Sequence, residues 1–239
     1  MSDAAPRRAV TFDFGQTLAE LDPLLLAARV AERGVEVEPA RLEQATAAAW
    51  EAYALAKSRG RIARAAWAAF MSSLLEGAGV APTAAGELAE WLFDEQPARN
   101  LWRRPVPGMI EVARALAASG VPIGILSNSE GRLRALVAEL GWSETFGVVA
   151  DSGVLGFEKP DRRIFEWTAR ELGVPVGALV HVGDVWEADV EGALAVGATA
   201  LWLGGDDRAL PPRVVRVRDA AATRAALVDL GFLGRAAPC

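Results

Sequence analysis

The chain contains one cysteine, Cys239, so no intramolecular disulfide can form. Its fold has to be held by packing, and the lack of bridges suits a reducing compartment. The opening MSDAAPRRAVTFDFG has two arginines but no apolar stretch of the signal-peptide kind, because Asp13 soon interrupts it. No uninterrupted apolar run elsewhere is long enough to span a bilayer. The expected location is therefore cytoplasmic, without a membrane partner. Positive charge is not in excess either. The formal net charge of −6 argues against broad binding to a phosphate backbone, and so against nucleic acid as a partner. A small anionic substrate stays compatible, since a local site can be positive on an acidic protein. Internal repeats are absent, as is low complexity beyond richness in alanine.

What is present is the balance of a soluble globular protein. The 239 residues are 52% hydrophobic and 23% charged, enough for one large domain or two smaller ones with a sizeable core. Residues 9–14 (AVTFDF) read as a short buried strand ending in an aspartate. From Leu21 to about Trp102 the character changes to Ala, Leu, Glu and Arg, with Trp50, Trp67 and Trp91 spaced through it. Four helices are expected there. The first follows Asp22-Pro23, a cap with proline at the first helical position, and stops near Gly34. The others cover about 39–58, 62–76 and 83–96, each bounded by Gly or Pro.

After Pro107-Gly108 the pattern alternates between helices and short apolar strands, with strands at VPIGILS, GVVAD, ALVHVGD, ATALWLG and VVRV. Such alternation predicts an α/β fold, a Rossmann-like parallel sheet flanked by helices. The helical stretch then reads as an inserted all-helical cap over 21–102, with the core in 1–20 and 103–239. Ligands of such sheets bind beyond the carboxyl ends of the strands. Asp13, Ser127, Asp151 and Asp184 all fall at expected strand ends.

Phosphoryl transfer needs a nucleophile, charge neutralisation for the phosphoryl oxygens and usually a hard cation. Mg²⁺ prefers one or two carboxylates plus water and substrate oxygens. Asp13 and Asp184 fit that count, with Ser127 as a hydroxyl donor and Lys159 as an ammonium.

The segments FDFGQTL, ILSNS, GFEKPDRRIF and HVGDVWEADVEGALAVGA stand in an order and at separations that resemble the haloacid dehalogenase superfamily, in its branch with a helical cap after the first strand. The resemblance covers the whole chain. It implies a Mg²⁺-dependent hydrolase of a small phosphorylated metabolite, working through an aspartyl-phosphate. Asp13 would be the nucleophile. Asp13, the carbonyl of Gly15 and Asp184 would hold Mg²⁺. Ser127, Asn128 and Lys159 would bind the substrate's phosphoryl group, with Lys159 and Ser127 assisting the chemistry. Thr17 would support the first loop, and Asp189 would steady Lys159 or a metal-bound water.

The chain departs from that pattern at Gly15 and Gln16. Phosphatases of the family usually carry a second aspartate two residues after the nucleophile, as general acid and base, and glycine after it. General acid–base help is worth ~10²–10⁴-fold, so turnover should be slower unless Glu20 or Asp22 reaches back. A catalytically weak binding or regulatory protein is thus the alternative reading. A 2-haloacid dehalogenase ranks lower, because such enzymes lack the acidic ligand that GDVWEAD retains. A phosphonatase would need a buried cap lysine, and Lys57 is the sole lysine there. His181, inside an expected strand, reads as a core or subsite residue. Trp186 reads equally as packing or as a shield over the site. The cap tryptophans read as core, and Lys57, Arg59, Arg61 and Arg64 as a solvated face.

Overall fold

The computed structural model describes residues 7–61 and 64–234. Cys239 and Ile62, the expected first residue of the third helix, lie outside the described residues. The described chain forms two compact units. One runs up to Glu20 and resumes at Arg104, and the other is Leu21–Arg103.

The first unit is built on six parallel strands: β1 (Ala9–Phe12), β4 (Ile123–Ser127), β5 (Val148–Asp151), β6 (Leu179–Gly183), β7 (Thr199–Leu203) and β8 (Val214–Val217). β1, β4, β5 and β6 are buried along their full lengths, as the near-continuous apolar runs of a sheet covered on both faces should be. The spatial order is β5-β4-β1-β6-β7-β8. From β1 the chain builds outward on one side to β4 and β5, and on the other to β6, β7 and β8. This reversal of strand order opens a crevice beyond the carboxyl ends of the central strands.

The helices α5 (Met109–Ala118), α6 (Leu133–Glu139), α8 (Arg162–Leu172) and α10 (Ala220–Asp229) alternate with the strands, and a single turn, α7 (Ser152–Leu155), follows β5. α8 shows why they form. Asp161 caps its start by accepting from the Arg163 amide, and left-handed Gly173 ends it. Ile164, Phe165, Thr168, Ala169 and Leu172 share one face and are buried. Each large apolar side chain buried in this way contributes roughly 1.5–3 kcal/mol.

The second unit comprises α1 (Pro23–Ala31), α2 (Pro39–Ser58), α3 (Arg64–Gly77) and α4 (Pro82–Glu95). Asp22 caps α1 by accepting from the amides of Leu24 and Leu25, and Leu26, Val30, Leu42, Phe70, Leu74 and Leu92 lie in its core. Gly77 lets α2 and α3 approach closely, since a Cβ there would come within 2.6 Å of the Ala45 Cβ. Trp50 packs on Phe70 at 4.4 Å between ring centroids, and Trp91 lies beneath the guanidinium groups of Arg29 and Arg33. Lys57, Arg59, Arg61 and Arg64 are exposed.

Two features differ from the sequence expectation. β2 (Ala19–Leu21) and β3 (Trp102–Pro105) pair in a small separate ribbon where the chain passes between the units, too short to show a periodicity. Between the ALVHVGD and ATALWLG strands, where the alternation calls for one regular helix, there is a π-helical turn, Trp186–Glu191, followed by a short α9 (Gly192–Ala195). The start of this turn is tied down locally. The Asp189 amide donates to the Val185 carbonyl at 2.8 Å while its own carboxylate accepts from the Val185 amide at 2.8 Å. Such insertions recur at functional sites.

Candidate active site

Asp13 follows β1 directly. Its amide donates to the Val182 carbonyl at 2.8 Å, which ties it to the end of β6. The loop then folds on itself, with the Phe14 carbonyl accepting from the amides of Leu18 and Ala19 and the Gln16 amide donating to Ala19. This bridge uses the Phe14 carbonyl and the Gln16 amide, so the carbonyl of Gly15 stays out of it. Gln16 takes a left-handed backbone, φ 55°, a conformation that glycine adopts at less cost. Thr17 is buried, but its hydroxyl oxygen has no hydrogen-bond partner among the described residues.

Ser127 ends β4 and is buried. Asn128 comes next, and both ends of its amide are spent on Lys159. Its Nδ2 donates to the Lys159 carbonyl at 3.0 Å, and its Oδ1 accepts from the Lys159 amide at 2.8 Å. Asn128 thereby holds the backbone of Lys159 instead of presenting its amide to a ligand. The Lys159 ammonium lies 2.6 Å from Asp13 Oδ1 and 2.7 Å from Asp189 Oδ1.

β6 ends at Gly183, and Asp184 and Asp189 follow. A Cβ on Gly183 would stand 2.3 Å from the Asp189 Cγ, so glycine is what lets that carboxylate lie against the strand end. Asp13, Asp184 and Asp189 each offer a carboxylate oxygen, all within 4.8 Å of one another. Asp184 Oδ1 is buried without a hydrogen-bond partner among the described residues.

The electrostatics follow from this crowding. Burial raises the Asp13 carboxyl above its ordinary value, with Lys159 opposing the shift. Asp184 is pushed up further, first by burial and then by the charges of Asp13 and Asp189. Burial also acts against ionisation of Asp189, but Lys159 and His181 overcome it and hold that carboxyl well below the usual range. For Lys159 burial favours the neutral amine, and Asp13 and Asp189 together outweigh it, so its pKa is raised. Three carboxylates share one ammonium. A hard divalent cation with a preference for oxygen would relieve the repulsion and satisfy the orphaned oxygen, so the donor set fits Mg²⁺.

Other acidic candidates are occupied elsewhere. Asp151, expected at the rim, instead organises the loop after β4. Its carboxylate accepts from the Ser129 hydroxyl and from the amides of Gly131, Leu133 and Gly153. Glu20 pairs with Arg104 at 3.0 Å, and Asp22 caps α1. Trp186 packs edge-on against Trp202 at 4.6 Å and donates to Glu191. The Trp202 indole N–H donates to the Asp184 carbonyl at 3.0 Å, a support that a tryptophan within an apolar strand does not announce. Lys57 is exposed, unlike the buried amine a Schiff base requires.

A family model described as haloacid dehalogenase-like hydrolase matches residues 7–197. The chain belongs to this family. Among its relatives, the human haloacid dehalogenase-like hydrolase domain-containing protein 3 is 31% identical, over 97% of this chain and 94% of that protein. A phosphoserine phosphatase of Thermus thermophilus is 33% identical over 69% of this chain and 65% of its own length. Among solved structures, a HAD family hydrolase from Deinococcus radiodurans with bound phosphate and sodium is 25% identical. It superimposes with a TM-score of 0.61, covering 97% of this chain and all of that one. As a haloacid dehalogenase-like hydrolase, this chain carries an α/β fold with a helical insertion.

Proposed function

We propose that the chain is a Mg²⁺-dependent phosphomonoesterase of small phosphorylated metabolites, in the cytoplasm, with the α/β unit as catalytic core and the helical unit as its cap. The observation that carries this reading is the contact of the Lys159 ammonium with the Asp13 carboxylate beside the unpartnered oxygen of Asp184. Phosphatases among the relatives add support.

In this reading Asp13 is the nucleophile. A carboxylate oxygen attacks phosphorus, the ester P–O bond breaks, and the leaving oxygen takes its proton from solvent. Water then attacks the phosphorus of the aspartyl-phosphate, releasing inorganic phosphate and restoring the Asp13 carboxylate. Lys159 keeps Asp13 ionised between turnovers and offsets charge on the phosphoryl oxygens. Ser127 donates a hydrogen bond to one of those oxygens. Asn128 fixes the Lys159 backbone, Asp189 the Lys159 ammonium, and Thr17 packs beneath the loop. Asp13, Asp184 and the Gly15 carbonyl would hold Mg²⁺, which when bound supplies positive charge for the carboxylates and the phosphoryl group. No carboxylic acid stands at Gly15, and Glu20 and Asp22 are engaged elsewhere. The same observation favours the second reading, a weakly catalytic binding protein.

The deciding experiment is hydrolysis of p-nitrophenyl phosphate with Mg²⁺ by the wild type and Asp13→Asn, with a chelator control. This leaving group departs with little need of a proton. Turnover that disappears in the variant and on chelation is expected. Mg²⁺ binding without turnover above that of the variant would transfer the reading to a binding protein.

A further inference from the structure

His181 is the sole histidine of the chain. It lies in the middle of β6, with 0% of its surface exposed. The edge of its ring contacts Phe165 at 5.5 Å between centroids, and both ring nitrogens have partners. Nε2 is 3.0 Å from Asp189 Oδ1, and Nδ1 is 2.9 Å from the Thr11 hydroxyl. The steps proposed above do not use it.

The Asp189 carboxylate is held on three sides. Its Oδ1 accepts from both the Lys159 ammonium and His181, and its Oδ2 accepts from the Val185 amide. An unbroken series of hydrogen bonds therefore joins Thr11, His181, Asp189, Lys159 and Asp13. An ionised carboxylate can only accept, so the ring nitrogen facing Asp189 carries hydrogen. In the neutral ring the Thr11 hydroxyl then donates to Nδ1, and this bond fixes the tautomer.

We propose that His181 is a positioning residue that acts through Asp189 on Lys159. In a buried site a carboxylate draws strongly on its nearest cation. With His181 as a second donor on the same oxygen, Asp189 makes a smaller demand on the ammonium, which stays directed at Asp13 and the phosphoryl group. Without that donor, Asp189 closes on Lys159 and withdraws it from the reacting atoms. This inference rests on the phosphatase reading of Asp13 and Lys159.

The test has two arms. The first needs no turnover. With one histidine in the chain, protein carrying ¹⁵N-labelled histidine gives a single imidazole spectrum. The expected spectrum is that of an Nε2–H ring whose Nδ1 shift moves in Thr11→Val. An Nδ1–H tautomer would overturn the proposal. The second arm measures p-nitrophenyl phosphate kinetics. In His181→Asn the amide reaches toward Thr11 but not Asp189, and kcat should fall about 10–100-fold, the size of loss that removing a hydrogen-bonded support behind an active-site group gives, with KM little changed. In His181→Gln the amide nitrogen can occupy the place of Nε2, and most of kcat should return. Equal kcat in the wild type and both variants overturns the proposal. So does a loss that follows only the folded fraction measured by circular dichroism. A wild type that turns over no phosphate ester brings down the phosphatase reading and the catalytic role of His181 with it. The spectrum then still decides whether His181 holds Asp189.

Discussion

Each unit buries one cation against two carboxylates, and the outcomes differ. In the helical unit the Arg29 side chain is 1% exposed, but its partners Glu32 and Glu95 are 43% and 40% exposed. Its guanidinium also lies over the Trp91 ring at 4.5 Å. The negative charge there is shared with water, and Glu32 titrates at about 2, held down by Arg99 and then by Arg29. In the α/β unit Lys159 is equally buried, but Asp13 and Asp189 are only 11% and 2% exposed, and Asp184 crowds beside them. Solvent cannot disperse that charge. The first arrangement balances its charge, with only the Arg29 Nε left without a partner among the described residues. The second carries more negative charge than its single ammonium can balance, and such an imbalance persists where a ligand completes it.

Substitutions can break this contrast at either end. The largest effect is expected for Asp13→Asn, which removes the nucleophile. Phosphatase turnover should fall by more than about 10³-fold while the fold is kept, checked by steady-state kinetics alongside circular dichroism. Retained turnover would locate the reacting group elsewhere.

Asp184→Asn should abolish stabilisation by Mg²⁺, read as the loss of the Tm increase that the ion gives the wild type. The pH dependence has a definite sign. The Asp184 carboxyl is raised well above 3.8 in the folded protein. Between the unfolded value and the raised one, the native state binds more protons than the unfolded chain. In metal-free protein this group's contribution to stability is therefore full below the unfolded value and is lost as pH rises through the raised one. Mg²⁺ affinity moves oppositely and weakens as pH falls through the same range. In Asp184→Asn both slopes should flatten. A variant stabilised by Mg²⁺ as much as the wild type would place the ion on other residues.

Arg29→Met tests the helical unit. Its carboxylate partners keep access to water, so the loss is mainly of packing and cation–π contact. The cost should be roughly 1–3 kcal/mol by urea unfolding. Mg²⁺ stabilisation should be unchanged. A change in Mg²⁺ response would show that the two charge clusters are not independent.

The smallest effect is expected at Gln16, whose left-handed backbone disfavours a side chain. Gln16→Gly should raise stability by about 0.5–1 kcal/mol. A loss would mean that the glutamine side chain contributes more than its strain costs.

Much of this was legible along the chain. The cap at Asp22 and the strand ends carrying Asp13, Ser127 and Asp184 depend on neighbours a few residues away. Short-range periodicity and turn chemistry report such features. The ribbon of β2 and β3 escaped because three or four residues carry too little pattern. The π-helical turn escaped because six residues carry too little pattern to distinguish it from a regular helix.

By itself, then, the sequence determined which residue types stand at which strand ends, where helices begin and stop, and that the charged residues of the motifs recur in one order. Tertiary structure alone decided their partners. Lys159 and Asp13 are 146 residues apart in sequence yet share a proton-bearing contact, because β1 lies between β4 and β6. The same folding spends Asp151 and Asn128 on loops and backbone and threads His181 behind Asp189. Those assignments depend on which elements lie side by side, a consequence of strand order and burial that no local window of residues contains.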